Sequence, residues 1–184
     1  WMDAARYADT YGRHEDADCQ TWPWRDWVIR AFNQNLPYST FIAWQTAGDL
    51  LEPDNQDAVV ATAFNRLHQQ SNESGSDENE FRWEHVFDRV KTNATAIMGV
   101  TMECARCHDH KYDPFTMRDY YSMASFFNNI DELGLFSRFT NANPAPTTFV
   151  YGPGQKEAHE ALKDAVIEAE QKVTEARGGA HRRD

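Results

Sequence analysis

The stretch MECARCHDHKYDP, residues 102–114, contains a CxxCH motif formed by Cys104, Cys107 and His108. This spacing predicts covalent haem attachment. Two cysteines one helical turn apart can each add to a vinyl group of the same porphyrin, and the histidine beside the second cysteine can then bind the iron. We therefore expect one covalent haem c, with His108 as the proximal ligand of the iron.

A structural zinc site is the main alternative for this motif, because its two cysteines, His108 and His110 are all competent zinc ligands. His108 is adjacent to the second cysteine, however, whereas zinc sites usually take a second pair of ligands from a distant part of the chain. That pair would have to come from Cys19 and one of three other histidines, His14, His68 or His85. A disulfide between the two motif cysteines is the third alternative.

Length and charge limit the class of protein. The chain has 184 residues, enough for one ordinary domain with its own core. Its formal net charge of −11 argues against nucleic acid or an anionic membrane surface as a partner, because both need a basic face. Either a basic redox partner or no partner fits this charge better, and we expect a redox partner protein or an attached domain. No run of apolar residues approaches the length of a membrane span.

The chain begins at Trp1 with neither an initiator methionine nor a signal peptide, so we interpret it as a segment of a longer protein. It has 3 cysteines, and Cys19 is the one outside the CxxCH motif, so there is no disulfide framework to indicate a compartment. Covalent haem attachment normally takes place outside the bacterial inner membrane. The motif therefore predicts a periplasmic or extracellular, exported location.

Apolar periodicity predicts a mainly α fold, namely an irregular multi-helix haem-binding domain with long loops. Apolar residues recur at helical spacing in six stretches of this domain, residues 1–11, 23–33, 38–51, 58–67, 80–97 and 120–127. Gly12 is expected to end the first of these helices. Thr116 and Asp119 resemble a capping box in front of the last.

The C-terminal part of the chain has a different pattern. Residues 128–153 are rich in Asn, Pro, Thr and Gly and predict irregular structure. Residues 156–177 then predict a charged helix with a narrow apolar seam of coiled-coil spacing. We therefore divide the chain into a c-type haem domain, residues 1–153, and a helical connector, residues 154–184. The seam predicts helix pairing through residues 156–177.

The second axial ligand of the iron has several candidates. Four methionines lie near the motif in sequence, but each also fits a helix core or a turn: Met98, Met102, Met117 and Met123. His68 ends a predicted helix and precedes a polar loop, and its position is not part of the apolar face of that helix. We therefore expect His68 to ligate the iron opposite His108. At a helix C-terminus, the helix dipole would favour a charged imidazole. A vacant position is the alternative.

Other polar side chains are candidates for the surroundings of the haem. His110 lies two residues beyond the proximal histidine, so we expect it to donate to a propionate or to a backbone carbonyl rather than to bind iron. Arg106, Lys111 and Arg89 are candidates to neutralise the propionates.

Several motifs in fixed order resemble one family. They are WMDAARYADT at 1–10, RDWV at 25–28, AGDLL at 47–51, DRV at 88–90, the CxxCH stretch as far as Pro114, and FFNN at 126–129. Together they closely resemble the planctomycete-type secreted cytochrome family, catalogued as domain of unknown function 1549. The resemblance implies c-type haem at the CxxCH motif, export, and a helical connector after the domain. It implies no particular reaction.

Three functions therefore remain open. An electron-transfer domain within a larger exported protein needs two strong axial ligands. A peroxidase-like haem enzyme needs an open haem face with an acid or base above it, for which His14, His85 and Arg82 are candidates. A zinc-stabilised interaction domain needs no haem. No nucleophile or acid/base pair stands out in the sequence, so we favour electron transfer.

Overall fold

The structure is a computed structural model that describes residues 1–13, 16–73, 75–135 and 144–180. Within these ranges the α-helices are Trp22–Asn33 (α1), Tyr38–Leu51 (α2), Gln56–Ala61 (α3), Glu78–Asn93 (α4), Met117–Ser125 (α5) and Gln155–Ala180 (α6). Shorter helical turns span Thr62–Arg66, Ala94–Met98 and Glu103–Arg106. Strand pairing in these ranges is limited to isolated bridges, Thr10 with Asp18 and Ser71 with Leu135. The predicted mainly α fold is confirmed.

The chain forms two compact units, Trp1–Thr148 and Phe149–Asp184. The second unit contains α6 and begins before the predicted connector, because aromatic side chains ahead of the helix fold onto it. The Tyr151 hydroxyl lies 2.7 Å from Nδ1 of His159, and the Phe149 ring lies 4.7 Å from the same imidazole. The apolar seam of α6 is exposed at Leu162, Val166 and Val173. Helix pairing through this seam stays a prediction.

An aromatic core joins α1, α2 and α3 in the first unit. Trp27 of α1 stacks on Phe41 of α2 with ring centroids 5.3 Å apart. The Trp1 ring contacts the same phenylalanine at 5.1 Å, and its indole N–H donates to Oε1 of Gln45 at 2.9 Å. Such aromatic pairs prefer stacked or edge-to-face contacts of this kind. The N-terminal residue is therefore part of the core.

The predicted helix at residues 1–11 is wrong beyond its first turn. The backbone N–H of Ala5 donates to the carbonyl of Trp1 at 2.9 Å, but Arg6 then adopts a left-handed conformation with φ of 55°. An L-residue in that conformation ends a right-handed helix. The Arg6 side chain pairs with Asp88 of α4 at 2.5 Å. The helical turn therefore ends at Arg6, six residues before Gly12, where the helix was predicted to end. A long-range ion pair holds the chain at this point.

The predicted helix at residues 58–67 has different ends. Asn55 caps α3 by accepting a hydrogen bond from the backbone N–H of Asp57 at 3.1 Å, so the helix begins at Gln56. The α-helical part stops at Ala61, and the chain continues as the tighter Thr62–Arg66 turn.

A second core joins α4, α5 and the CxxCH stretch. Its buried members are Val86, Val90, Ala94, Met102, Ala105, Tyr120 and Ala124. The predicted capping box is confirmed, since Thr116 and Asp119 each accept from the other's backbone N–H. This core fixes the CxxCH stretch against α4. No helix in the described part of the chain is long and apolar enough to cross a membrane.

Candidate functional site

The CxxCH motif is folded into one tight turn at the surface. The carbonyl oxygen of Cys104 accepts hydrogen bonds from the backbone N–H groups of Cys107 at 3.2 Å and His108 at 3.3 Å. Both cysteines are free and exposed, and His108 is exposed as well. The turn therefore brings two accessible thiols and one accessible imidazole together.

The imidazole of His108 is held in one tautomer. Its Nδ1 lies 2.8 Å from the carbonyl oxygen of Asp109. A carbonyl oxygen only accepts hydrogen bonds, so Nδ1 carries the proton and Nε2 keeps its lone pair. This is the arrangement expected of a histidine that binds a metal through Nε2. The Asp109 carboxylate also accepts from the backbone N–H of Met117 at 2.8 Å, which links the motif to the first turn of α5.

The two residues between the cysteines anchor the turn. Ala105 is fully buried in the second core. Arg106 pairs with Glu84 of α4 at 2.6 Å, and its guanidinium lies 4.1 Å from the centre of the Phe87 ring. The Tyr121 hydroxyl of α5 donates to the carbonyl of Arg106 at 3.0 Å. A contact between Arg106 and a propionate stays a prediction, and Glu84 already balances the charge of Arg106.

His110 braces the loop after the motif. Its Nδ1 accepts hydrogen bonds from the backbone N–H groups of Tyr112 at 3.3 Å and Asp113 at 2.9 Å, so Nδ1 carries no proton. Its own backbone N–H donates to the carbonyl of Phe115 at 2.8 Å. Lys111 places its ammonium group 5.2 Å from the centre of the Tyr112 ring. Haem contacts of His110 and Lys111 stay predictions.

The four candidate methionines have different surroundings. Met102 is buried in the second core, and Met123 is partly buried against it. Met98 is 50% exposed, and Met117 is 38% exposed. The Met102 carbonyl accepts from the backbone N–H of Ala105 inside the motif at 3.0 Å, and the Met117 N–H donates to Asp109 just after it at 2.8 Å.

His68 lies in a buried polar cluster, whereas the CxxCH turn is exposed. Its Nδ1 donates to the carbonyl of Gln69 at 3.1 Å, and its Nε2 accepts from Nη2 of Arg89 at 3.0 Å. Both ring nitrogens therefore have partners. Ligation of the iron by His68 stays a prediction, and it would require Nε2 to exchange Arg89 for the iron.

Glu132 is at the centre of this cluster, and its side chain is 1% exposed. Its carboxylate accepts hydrogen bonds from Arg66 and from both terminal nitrogens of Arg89, with 2.6 Å between Nη2 of Arg89 and Oε2. Arg89 also donates from Nε to the carbonyl of Asn65 at 2.6 Å. One carboxylate thus balances two guanidinium groups, so the cluster carries a net charge of about +1 while its imidazoles are neutral.

His85 stacks on His68 at the edge of the cluster, with ring centroids 3.9 Å apart. Burial, and then the charge of His68, lowers the pKa of His85 to about 3. Burial likewise lowers the pKa of His68, so the charged imidazole expected from the helix dipole is wrong. Burial alone would raise the pKa of Glu132, but its contacts with His68 and Arg89 outweigh burial and hold that pKa well below its usual range.

His68, His85 and Glu132 place three ligand atoms within 4.8 Å of one another. The motif cysteines and histidines do not form such a group in the described residues, which leaves the zinc alternative without geometric support there. Arg89 already donates to both His68 and Glu132. A dication about 4 Å from a single guanidinium would be repelled by about 8 kcal/mol at an effective dielectric constant of 20. The cluster is therefore better suited to a balanced ion network than to a metal.

A cavity of about 530 Å³ lies between residues 3–13, α4 and the Glu103–Arg106 turn. His68 and His85 line it, whereas Cys104, Cys107 and His108 do not. The cavity therefore borders the CxxCH turn through Arg106, while the two cysteines and His108 are not among its lining residues.

The acid/base candidates for a haem enzyme are not gathered at the motif. Arg82 donates to the side chain of Asn128 at 2.9 Å, and His85 belongs to the buried cluster. His14 lies outside the described residues. Sequence reasoning missed Glu132 and Arg66, and the periodicity of α4 contains the one indication of their cluster. On this helix His85 and Arg89 are four residues apart, each next to a buried valine, Val86 or Val90, and all four are buried.

Residues 1–132 match the family PSCyt2, described as a protein of unknown function (DUF1549). Because the match covers most of the chain, the chain belongs to this family. Neither a curated protein nor a solved structure matches the chain.

Proposed function

We propose that this chain is a monohaem c-type cytochrome domain that transfers electrons within a larger exported protein. The haem would be attached to Cys104 and Cys107, with His108 as the proximal ligand. The observation that carries the proposal is the single turn in which the Cys104 carbonyl accepts from both Cys107 and His108. Haem, when bound, supplies a one-electron iron couple.

The donor set of the turn fits this group. Both thiols are free and exposed, so they are accessible to the machinery that forms thioether bonds. The Asp109 carbonyl keeps the proton of His108 on Nδ1, which leaves Nε2 available to iron. Ala105 and Arg106 hold the backbone of the turn against α4. These features of the turn support the proposed attachment.

The surroundings favour electron transfer over peroxidase-like catalysis. Peroxide chemistry needs an enclosed face with an acid or base over the iron. Cys104, Cys107 and His108 are exposed and do not line the cavity, and neither Arg82 nor His85 is hydrogen-bonded to the turn. An exposed haem edge instead suits contact with a redox partner. The net charge of −11 favours a partner protein or an attached domain with a basic surface.

Visible spectroscopy with cysteine variants tests the proposal. The chain should be exported to the periplasm of a bacterium that has c-type cytochrome maturation machinery, then purified and reduced. We expect the absorption bands of a c-type haem, lost in the double variant Cys104→Ala/Cys107→Ala and retained in the control Cys19→Ser. Absence of haem bands from the folded wild-type chain would reject the proposal.

His108→Ala provides a second variant for the same experiment. If the thioether bonds form without the proximal ligand, the haem should be retained in part and change to a high-spin ferric spectrum. Saturable binding of Zn²⁺ at the motif cysteines, with no haem, would instead favour the interaction-domain alternative.

A further inference from the structure

The cavity beside α4 borders the CxxCH turn at Arg106 and is lined by further polar groups. Its volume of about 530 Å³ is within the range of small-molecule sites. Aromatic side chains from two helices, Phe81, Phe87 and Tyr120, line part of its wall. A cavity with an apolar aromatic wall and a few polar groups is the usual form of a site for a small organic ligand.

The charged side chains on the wall are mostly paired with one another. Arg6 pairs with Asp88 at 2.5 Å, Arg106 with Glu84 at 2.6 Å and Lys91 with Glu103 at 3.0 Å. Asp3, the remaining acid of the wall, is exposed. These three pairs leave Arg13 as a cationic side chain with no carboxylate partner in the described part of the chain.

His85 is the second polar group with unused hydrogen-bonding capacity, and its Nδ1 lies 3.9 Å from Oε2 of Glu132. It is 2% exposed, and neither Nδ1 nor Nε2 has a hydrogen bond among the described residues. A buried imidazole costs free energy until both of its nitrogens are satisfied. As a neutral ring it offers one N–H donor to a ligand in the cavity.

A short chain of contacts along the cavity wall links Arg13 to His85. Nε of Arg13 donates to Oε1 of Gln69 at 3.1 Å, and the carbonyl of Gln69 accepts from His68, whose ring stacks on His85. Phe81 provides a second connection between the two residues. It lies one helical turn before His85 on α4, and its ring lies 5.2 Å from the guanidinium carbon of Arg13.

We propose that the cavity binds a small organic monoanion with an aromatic or apolar body, whose carboxylate lies between Arg13 and His85. The net positive charge of Arg66, Arg89 and Glu132 behind the imidazoles favours an anion over a cation beside them. The Arg13 guanidinium, which has no carboxylate partner among the described residues, and one neutral N–H suit a carboxylate, whereas a phosphate dianion would need more positive charge. The aromatic wall would hold the rest of the ligand.

Calorimetric titration of the full chain with three ring compounds of similar size tests this site. Benzoate is the anion, benzamide its neutral counterpart and benzylamine the cation. We expect saturable binding of benzoate, weaker binding of benzamide and no binding of benzylamine. Arg13→Gln and His85→Phe should each weaken benzoate binding at least about tenfold, as for a lost hydrogen bond to a charged group.

Arg118→Gln is the matched control, because it removes one positive charge from an exposed position of α5 that does not line the cavity. It should leave benzoate affinity unchanged. His85→Phe keeps an aromatic ring against His68, and exposed Arg13 gives an independent test if that buried variant does not fold. Equal binding of benzoate and benzamide, no benzoate binding, or unchanged affinity in folded Arg13→Gln would overturn the proposal. Saturable binding of Zn²⁺ alone that His85→Phe abolishes would also overturn it.

Discussion

Arg89 of α4 and Glu132 form a two-pronged ion pair that is closed to solvent, with side chains 0% and 1% exposed. The pair joins the middle of α4 to the segment that follows α5, 43 residues further along the chain. Arg66, which follows α3 in the chain, binds the same carboxylate. Glu132 thus ties together three parts of the first unit.

Loss of the Glu132 charge should destabilise the fold strongly. Glu132→Gln would leave buried Arg89 and partly buried Arg66 without a counter-charge, and we expect the free energy of unfolding to fall by about 3–5 kcal/mol. Urea unfolding followed by circular dichroism measures this change. Glu168→Gln is the control, because it breaks the exposed pair with Lys172 in α6 and should have almost no effect. Equal effects of the two substitutions would contradict a structural role for the buried cluster.

Acid should destabilise the first unit through its two buried imidazoles. Burial lowers the pKa of His68 and takes the pKa of His85 to about 3, from an ordinary value of 6.5. The unfolded chain therefore takes up these protons first, so stability is full above pH 6.5 and is lost as the pH falls below it. Each histidine should contribute a slope of about 1.4 kcal/mol per pH unit.

His85→Phe tests the source of this pH dependence. The variant removes one of the two titrating groups and keeps a ring stacked on His68. Urea unfolding at a series of pH values below 6.5 gives the change in the free energy of unfolding with pH. In the variant this slope should be smaller by the contribution of one histidine. An identical slope in the two proteins would show that other groups cause the acid sensitivity.

Gly48 permits the close approach of α2 and α3. A Cβ atom at this position would lie 2.1 Å from the carbonyl oxygen of Ala58, a backbone atom that cannot move without shifting α3. We expect Gly48→Ala to destabilise the chain by about 1–3 kcal/mol, measured by thermal or urea unfolding. The neighbouring Asp49→Ala is an exposed control on the same helix. A neutral or stabilising Gly48→Ala would mean that the two helices separate easily.

Much of the helical framework is predictable from local pattern. The apolar spacing around Trp24 and Trp27, the pair Val86 and Val90 on α4, and the capping box at Thr116 each act over a few residues. The CxxCH turn is local in the same way, because all of its ligand atoms lie within five residues. Such features need no knowledge of how distant parts of the chain meet.

The buried cluster could not be predicted in this way. Its members are separated by up to 66 residues, and Glu132 falls in a stretch whose composition predicts irregular structure. A buried glutamate is recognisable only once the fold brings Arg66 and Arg89 to it. The early end of the N-terminal helix has a similar cause, since the side chain of Arg6 is held by Asp88 from a distant helix.

His68→Ala distinguishes a structural role of this histidine from iron ligation. Because Nε2 accepts from Arg89 and the ring is buried, we expect the substitution to lower stability. If His68 ligates the iron as predicted, the substitution should also change the spin state of the ferric haem, whereas an unchanged spin state would leave His68 a structural role alone. Absorption spectra of the oxidised variant and its unfolding midpoint measure the two effects. Conversion from low spin to high spin, with cyanide binding gained, would establish His68 as the axial ligand opposite His108.

Covalent attachment of one haem to the CxxCH turn is the central claim, and intact-mass spectrometry under denaturing acid tests it most directly. The chain should be produced in the periplasm of cells that mature a known c-type cytochrome at the same time. We expect the mass of the polypeptide plus one haem, and the bare polypeptide mass for Cys104→Ala/Cys107→Ala. A bare polypeptide mass for the wild-type chain, in cells whose known cytochrome carries its haem, would contradict the account.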